Sequence, residues 1–498
     1  MRASLAVPCA PMPGTPTALP PTPFATTLAE LAATDPHRPA ITDGEHTVTR
    51  AELDARTNRL ARAYEQLGVT QDSFVTIGLP NGIEWFEATI AVWKLGATPA
   101  PVSAKLPRIE LDAIVELANP SLVVGLEAAG RTCVPAGYEP DPELSDAPLP
   151  TKIAAAWKAP TSGGSTGRPK LIVAGGPSVT EGVSLTALAF GMTPDGVHLA
   201  SGPLYHNGPL SFSVAALFTG SHIIVMERFD ATRALALIEE YRVDWMYAVP
   251  TMMQRIWKLP EDERLRHDLS SLNVVFHLAA PCPDWLKRAW IEWLGPEKIW
   301  ELYAGTEAQS VTLIKGDEWL EHPGSVGRPI IGEMRILDAE GQELPRGQQG
   351  EVFMRAPEGT TTYRYIGADA RALDDGWESL GDMGWMDEDG YLYLGDRSAD
   401  MILAGGANVY PAEIEAALDA HPNVGSSCVI GLPDDDLGNR IHAIVQADAP
   451  VSEDELREHL ADRLVRYKVP RTFEFVDEPL RDDAGKVRRS ALRAARLG

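Results

Sequence analysis

From about Phe24 onward the chain alternates short extended runs with helix-length amphipathic segments, and this rhythm restricts it to layered α/β architecture. The stretch "TVTRAELDARTNRLARAYEQLGV" sets the pattern: a β-rich run, then Thr49 followed three residues later by Glu52 as a capping box, then apolar residues at helical spacing up to Gly68. "SFVTIGLP" follows as a buried strand. The same alternation recurs in "EWFEATIAVWKLGA" then "TPAPVS", in "TRALALIEEYRV" then "DWMYAVP", and in "DWLKRAWIEWLG" then "KIWELYAG". Strands separated by helix-length segments imply sheets joined by crossover connections.

Near residue 330 the texture changes. "EMRILDAEGQELPRGQQGEVFMRAP" and "WMDEDGYLYLGDR" are short β runs joined by Gly-containing turns, which predict an antiparallel β subdomain. After Arg397 a small alternating α+β unit of about a hundred residues is expected on the same pattern reading. The predicted organisation is a disordered tail over 1–22, a large multi-sheet α/β domain over 23–396, and a small mobile α+β domain over 397–498.

The chain has 498 residues, 44% of them hydrophobic, enough to bury more than one core. With 70 acidic against 44 basic residues its formal net charge is −26, which disfavours nucleic acid and anionic lipid as partners, so an anionic ligand must be held locally. Cys9, Cys133, Cys282 and Cys428 are scattered, with no ligand or disulfide spacing, and a reducing cytoplasm is the expected setting. Repeated prolines interrupt the amino-terminal apolar run where a signal peptide would need continuity. No apolar segment approaches the ~20 residues that span a bilayer.

The chemistry-bearing feature is "TSGGSTGRPK", residues 161 to 170. Glycines let backbone N–H groups turn around an oxyanion, and interleaved hydroxyls add donors without bulk. It is not a Walker loop, because Gly167 is followed by Arg168 and Pro169 and no Ser or Thr follows Lys170. Taken alone, the stretch reads equally as a phosphate cradle or as a flexible surface hairpin.

The stretch resembles the signature of the adenylate-forming superfamily, which includes acyl-CoA synthetases, peptide-synthetase adenylation domains and luciferases. Further matches follow in the family's order: "PLYHNGP" (203 to 209), "ELYAGTEA" (301 to 308), "GWESLGD" (376 to 382), "GDRSADMILAGGANVYPAEIE" (395 to 415) and "LRDDAGKVRRSALR" (480 to 493). Members activate a carboxylate by attack on the α-phosphate of ATP, giving acyl-AMP and pyrophosphate, and then pass the acyl group to a thiol.

The resemblance implies roles at matching positions. Thr161, Ser162, Gly163, Gly164, Ser165, Thr166, Gly167 and Lys170 would hold the β- and γ-phosphates. Thr306 would contact the α-phosphate and Glu307 would ligate Mg²⁺, a cation that prefers oxygen ligands. Tyr303, Ala280 and Pro281 would border the nucleotide, Asp382 would accept from the ribose hydroxyls, and Arg397 would reach ribose or phosphate. Lys486 would bridge the incoming carboxylate and the α-phosphate, a task for a compact charge on a flexible stem. His206, Ala279, Ala304 and Gly305 would line the acyl site. Ala404, Gly405 and Gly406 would admit the pantetheine arm of coenzyme A after rotation of the small domain, with Arg440, Arg466 and Lys468 as candidates for its nucleotide end.

The sequence departs from the family at Ala399, the hinge, where Asp or Lys is usual, and at Ala304 and "LAAPC" (278 to 282), where alanines leave the acyl wall small. The leading expectation is an AMP-forming acyl-CoA ligase for a bulky, cyclic, terpenoid- or steroid-like carboxylic acid, using ATP, Mg²⁺ and CoA. Two alternatives stay open: a member performing one half-reaction, served by a partner adenylating enzyme, and a non-catalytic acyl-nucleotide binder. A free-standing carrier protein is a possible acyl acceptor in place of CoA.

Overall fold

The structure, a computed structural model, describes residues 21–163, 169–373, 375–397, 400–404, 407–434, 437–482 and 485–497. The predicted tail lies outside these up to residue 20. Thr22 is tied to the body, its N–H donating to Glu181 Oε1 at 2.6 Å and its carbonyl accepting from Thr180 N–H at 2.9 Å.

The large part is built on a nine-stranded sheet. Its parallel centre runs in the spatial order Pro39–Asp43, His222–Val225, Val197–Ala200, Trp245–Ala248, Val274–His277 and Ile299–Tyr303. Antiparallel strands His46–Thr49, Val311–Lys315 and Arg328–Ile331 close the two edges. The central strands read as continuous apolar runs because both faces are covered by helices. A second, parallel sheet orders Thr98–Pro101, Phe74–Ile77, Leu122–Val124 and Cys133–Val134. Thr49 and Glu52 form the anticipated capping box on helix Arg50–Gln66.

Aromatic packing fixes one helix that matters for the site. Helix Asn207–Phe218 lies on the main sheet through Phe212, whose ring sits 5.4 Å from Trp245 and 4.9 Å from Phe276. Rings of this size carry most of the local burial energy, so the start of the helix, at His206, is held in register with the strands.

The predicted antiparallel region is present. Glu333–Leu337, Gly350–Arg355, Glu378–Met386 and Leu392–Arg397 form successive antiparallel pairs in one sheet. Near the carboxyl end, Val424–Asp434, Gly438–Ala447 and Thr472–Val476 form a sheet packed by helices Pro411–Asp419 and Glu453–Ala461 around Ile414, Leu418, Val429, Val445, Leu456 and Leu460. No helix among the described residues is long and apolar enough to cross a membrane.

Candidate active site

In a parallel sheet every strand delivers its following loop to the same end, and ligands collect at those carboxyl ends. Four such loops carry the candidates: residues 201–206 after Val197–Ala200, 249–251 after Trp245–Ala248, 278–281 after Val274–His277, and 304–310 after Ile299–Tyr303. Two of them turn through left-handed backbone at non-glycine residues, Ala279 (φ 73°) and Ala308 (φ 54°), a strained conformation that concentrates at functional loops.

The two ends of the glycine-rich stretch pair antiparallel, Thr161–Gly163 against Pro169–Ala174, with Ser162 opposite Lys170. Gly164, Ser165, Thr166 and Gly167 lie outside the described residues. Strand Tyr363–Ile366 pairs with the far side of the hairpin and brings Tyr365 to its mouth. There the Lys170 ammonium lies 3.8 Å from the Tyr365 ring centre and 3.5 Å from Glu307 Oε1. The Tyr365 hydroxyl donates to the same carboxylate oxygen at 2.5 Å, and burial together with this bond pushes its own ionisation far up. Glu307 is 5% exposed and folds back over Gly305, where a Cβ would stand 2.8 Å from Glu307 Oε2 and 2.3 Å from Leu380 Cδ1. Thr306 sits between these two on the same loop.

Tyr303 ends its strand with its hydroxyl donating to Asp382 Oδ2 at 2.8 Å, and Asp382 is the backbone partner of Arg397. The three expected nucleoside-side residues therefore converge, although they are separated in sequence by up to 94 positions (397 minus 303). Ala279, Ala280 and Pro281 occupy the neighbouring loop, beside Ala304 and Gly305 at the same end of the sheet.

His206 caps helix Asn207–Phe218 through its backbone, leaving its ring to the site. Its Nε2 is buried with no hydrogen-bond partner among the described residues. Burial, and secondarily the positive charge of Lys486, depress its pKa to about 3, so the imidazole is neutral at physiological pH. The carboxy-terminal segment that carries Lys486 is docked on the large part, with Arg488 3.4 Å from Glu110. Gly485 makes this possible, since it has φ 75° and a Cβ there would lie 2.7 Å from Thr251 Oγ1. Gln254 Nε2 donates to Asp419 O at 2.8 Å, and Lys258 Nζ donates to Val424 O, across the same contact.

Of the remaining expectations, Ala404 lies in the hairpin formed by Ile402–Ala404 and Ala407–Val409, while Gly405, Gly406 and Ala399 fall outside the described residues. Lys468 is engaged by Glu413 at 2.5 Å and Arg440 by the Pro433 carbonyl at 2.6 Å. Sequence reasoning missed Tyr365 and its neighbour Tyr363, whose hydroxyl donates to Glu378 at 2.6 Å while Gln309 donates to the same oxygen at 2.8 Å. The alternation in "TTYRYIG" marks a strand, but nothing in it says which face meets Glu307.

A family model for the AMP-binding enzyme matches residues 28–364, and one for the AMP-binding enzyme C-terminal domain matches residues 413–486. A feruloyl-CoA synthase from a Streptomyces species is 32% identical, covering 93% of this chain and 96% of its own. A 3-[(3aS,4S,7aS)-7a-methyl-1,5-dioxo-octahydro-1H-inden-4-yl]propanoyl:CoA ligase from Rhodococcus jostii is 29% identical, with 91% and 95% covered. Among solved structures, o-succinylbenzoate CoA synthetase from Bacillus subtilis in complex with its acyl-adenylate intermediate superposes with a TM-score of 0.79 at 26% identity, over 95% of this chain and 99% of that one.

Proposed function

Since the chain belongs to the AMP-binding enzyme family and is an acyl-CoA ligase working through an acyl-adenylate, we propose that it activates a bulky or cyclic carboxylic acid with the residues described above. The observation that carries the assignment of roles is the docking of the segment that bears Lys486, where a Cβ on Gly485 would lie 2.7 Å from Thr251 Oγ1, at the end of the main sheet that also carries the neutral His206 and Glu307.

In the first half-reaction a carboxylate oxygen attacks the α-phosphorus of ATP and pyrophosphate departs. Both reactants are anionic, so the barrier is electrostatic, and fixed donors aimed at the developing charge lower it. Lys486 bridges the attacking carboxylate and the α-phosphate oxygens. A second cation at His206 would compete for the same anion, and the neutral imidazole avoids this. The hairpin and Lys170 hold the departing phosphates, Thr306 the α-phosphate, and Asp382 with Tyr303 the nucleoside. In the second half-reaction the thiol of CoA attacks the acyl carbon and AMP leaves, after the small domain turns about Ala399 to present the 404–406 loop.

A hard divalent cation fits the site. Glu307 offers a buried carboxylate at the phosphate end of the hairpin, and its present partners are donors that a cation and its water could replace. No cluster of three or more His, Cys, Asp or Glu side chains able to hold a metal occurs among the described residues, so Mg²⁺ would take its other ligands from the phosphates. It would supply neutralisation of the leaving group's charge.

The bulk of the acid is supported by the small side chains of Ala279 and Ala304 on loops at this end of the sheet. Gly202 and Gly208, by contrast, let the Tyr247 ring pack directly on the backbone beside His206. The test is mass-spectrometric detection of acyl-CoA after incubation with ATP, Mg²⁺, CoA and pooled steroid, terpenoid, aryl and fatty acids. A cyclic acyl-CoA is expected. Exclusive use of linear fatty acids would overturn the substrate class, and product only from synthetic acyl-AMPs would overturn the complete ligase.

A further inference from the structure

Between the large part and the carboxy-terminal part lies a cavity of about 210 Å³, far more than the ~10–15 Å³ that holds one water. Arg255, on helix Pro250–Trp257, and Lys258, just after it, form its wall on the large part. Ser426, Asp448 and Arg481 face them from the small part. No step of the ligase chemistry uses these five side chains. Three cations and one carboxylate therefore line a cavity in a chain whose formal net charge is −26.

Several of their donors have no acceptor in the protein. Arg255 is exposed and makes no hydrogen bond or ion pair with any described residue. Lys258 has three N–H groups and donates to one acceptor, the Val424 carbonyl. Burial lowers its pKa and the neighbouring Asp419 and Asp448 restore it only in part, so this ammonium is short of negative charge. The terminal nitrogens of Arg481 donate to Glu415 and to the Ser427 and Gly485 carbonyls, while its Nε is buried without a partner among the described residues. The hydroxyl of Ser426, a residue only 9% exposed, is buried and unpartnered in the same way. Buried donors left without acceptors are unfavourable, and an anion is the ligand that a wall of this kind suits.

Asp448 narrows the choice of anion. A Cβ on Gly425 would lie 2.3 Å from Asp448 Oδ1, so the carboxylate rests on the Gly425 backbone, and both residues line the cavity. Its oxygens accept from no described residue. A fully ionised anion is repelled there, whereas one that keeps a proton can donate it to the carboxylate. Inorganic phosphate keeps a proton at neutral pH. Sulfate has none, and a phosphomonoester, with its second pKa near about 6, has mostly lost its own.

We propose that this cavity is a binding site for inorganic phosphate that tethers the two parts of the chain, with Arg255 and Lys258 holding the ion from one side, Arg481 from the other, and Asp448 accepting its O–H. The two walls belong to different parts, so rotation of the small domain takes the site apart. Bound phosphate therefore favours the observed orientation by a factor of 1 + [phosphate]/Kd, about 11-fold at ten times Kd. The site itself does not depend on the ligase reading. Its effect on the half-reactions rests on that reading, which takes the observed orientation as the adenylating one.

Isothermal titration calorimetry on the full chain compares inorganic phosphate, sulfate and 2-glycerophosphate, with α,β-methylene-ATP and Mg²⁺ present to occupy the nucleotide site. Wild type is expected to bind phosphate saturably, and about 10-fold or more tightly than the other two. Arg255→Met, which removes an exposed side chain with no partner to lose, should weaken phosphate by about 10-fold or more, a difference that binding at the glycine-rich stretch would not produce. Asp448→Asn should close the gap between phosphate and sulfate. Absence of saturable phosphate binding, or equal affinity in wild type and Arg255→Met, would overturn the site. Sulfate or 2-glycerophosphate binding as tightly as phosphate would overturn the assignment of the ion. In a second arm, phosphate at ten times its Kd should raise the ratio of pyrophosphate exchange to thioesterification of synthetic acyl-AMP by up to about 11-fold in wild type, relative to the same addition to Arg255→Met. A ratio unmoved by bound phosphate would overturn the tether. A fall would leave the tether standing and count against the observed orientation as the adenylating one.

Discussion

Replacing Lys258 by methionine should change the balance between the two half-reactions without touching either set of reacting groups. Lys258 follows helix Pro250–Trp257 and donates to the Val424 carbonyl of the small domain, while Gln254, one turn earlier, donates to the Asp419 carbonyl at 2.8 Å. These bonds hold the small domain where Gly485, next to Lys486 in sequence, meets Thr251. A hydrogen bond from a charged donor contributes about 1.5–3 kcal/mol, and the partial exposure of Lys258 places it near 2 kcal/mol. Methionine keeps the stem's packing and loses the bond. A loss of about 2 kcal/mol is roughly a 30-fold shift in the equilibrium between domain orientations. Adenylation, followed by pyrophosphate exchange, should therefore fall relative to single-turnover thioesterification of synthetic acyl-AMP, by up to about 30-fold in the ratio of the two rates. The exposed pair Arg488–Glu110, 3.4 Å apart across the same contact, serves as a control: Glu110→Gln should leave the ratio within about twofold, as solvent-screened pairs contribute little. An unchanged ratio in Lys258→Met, or a rise, would refute the reasoning, because the observed orientation would then not be the one that makes the adenylate.

Lys486→Ala should lower adenylate formation by about 10²-fold or more, the scale of losing one preorganised electrostatic contact in the transition state, and near-normal pyrophosphate exchange in that variant would sink the assignment. Acid should destabilise the large domain. Burial holds His198 and His206 at about 3 and His222 at about 4, and His277 well below its ordinary value, so their contribution to stability is complete above pH 6.5 and is lost as pH falls towards those values. At pH 5, His198 and His206 each cost about 2 kcal/mol. Asp419, in the small domain and raised to about 6 by burial, acts the other way there, because the penalty on its charge is relieved below pH 6. The thermal midpoint should drop between pH 7 and pH 5, and a flat or rising profile would contradict the buried-neutral histidines.

The sequence by itself determined the order of the elements and the chemistry. The capping box at Thr49 and Glu52, the apolar central strands and the Gly-punctuated antiparallel region are local patterns, set by backbone conformation and by the period of burial, and a short window of residues carries them. The glycine-rich stretch and the motifs around Thr306, Asp382 and Lys486 are legible as contiguous runs that resemble those of the adenylate-forming superfamily, and the roles expected of them follow from that resemblance. Tertiary structure alone decided how those runs meet. Tyr365 reaches Glu307 only because its strand pairs with the hairpin, and Tyr303 reaches Asp382 across 79 residues through sheets that share no local signal. The charge states were equally hidden. His206 is expected at the acyl site from sequence but its charge state is not, and Lys158 carries no signal at all; burial by side chains drawn from distant strands and helices depresses the two to about 3 and about 7. Burial is a property of the whole packed core, so no local stretch encodes it, and it is burial that keeps the His206 ring neutral and lowers the Lys158 ammonium.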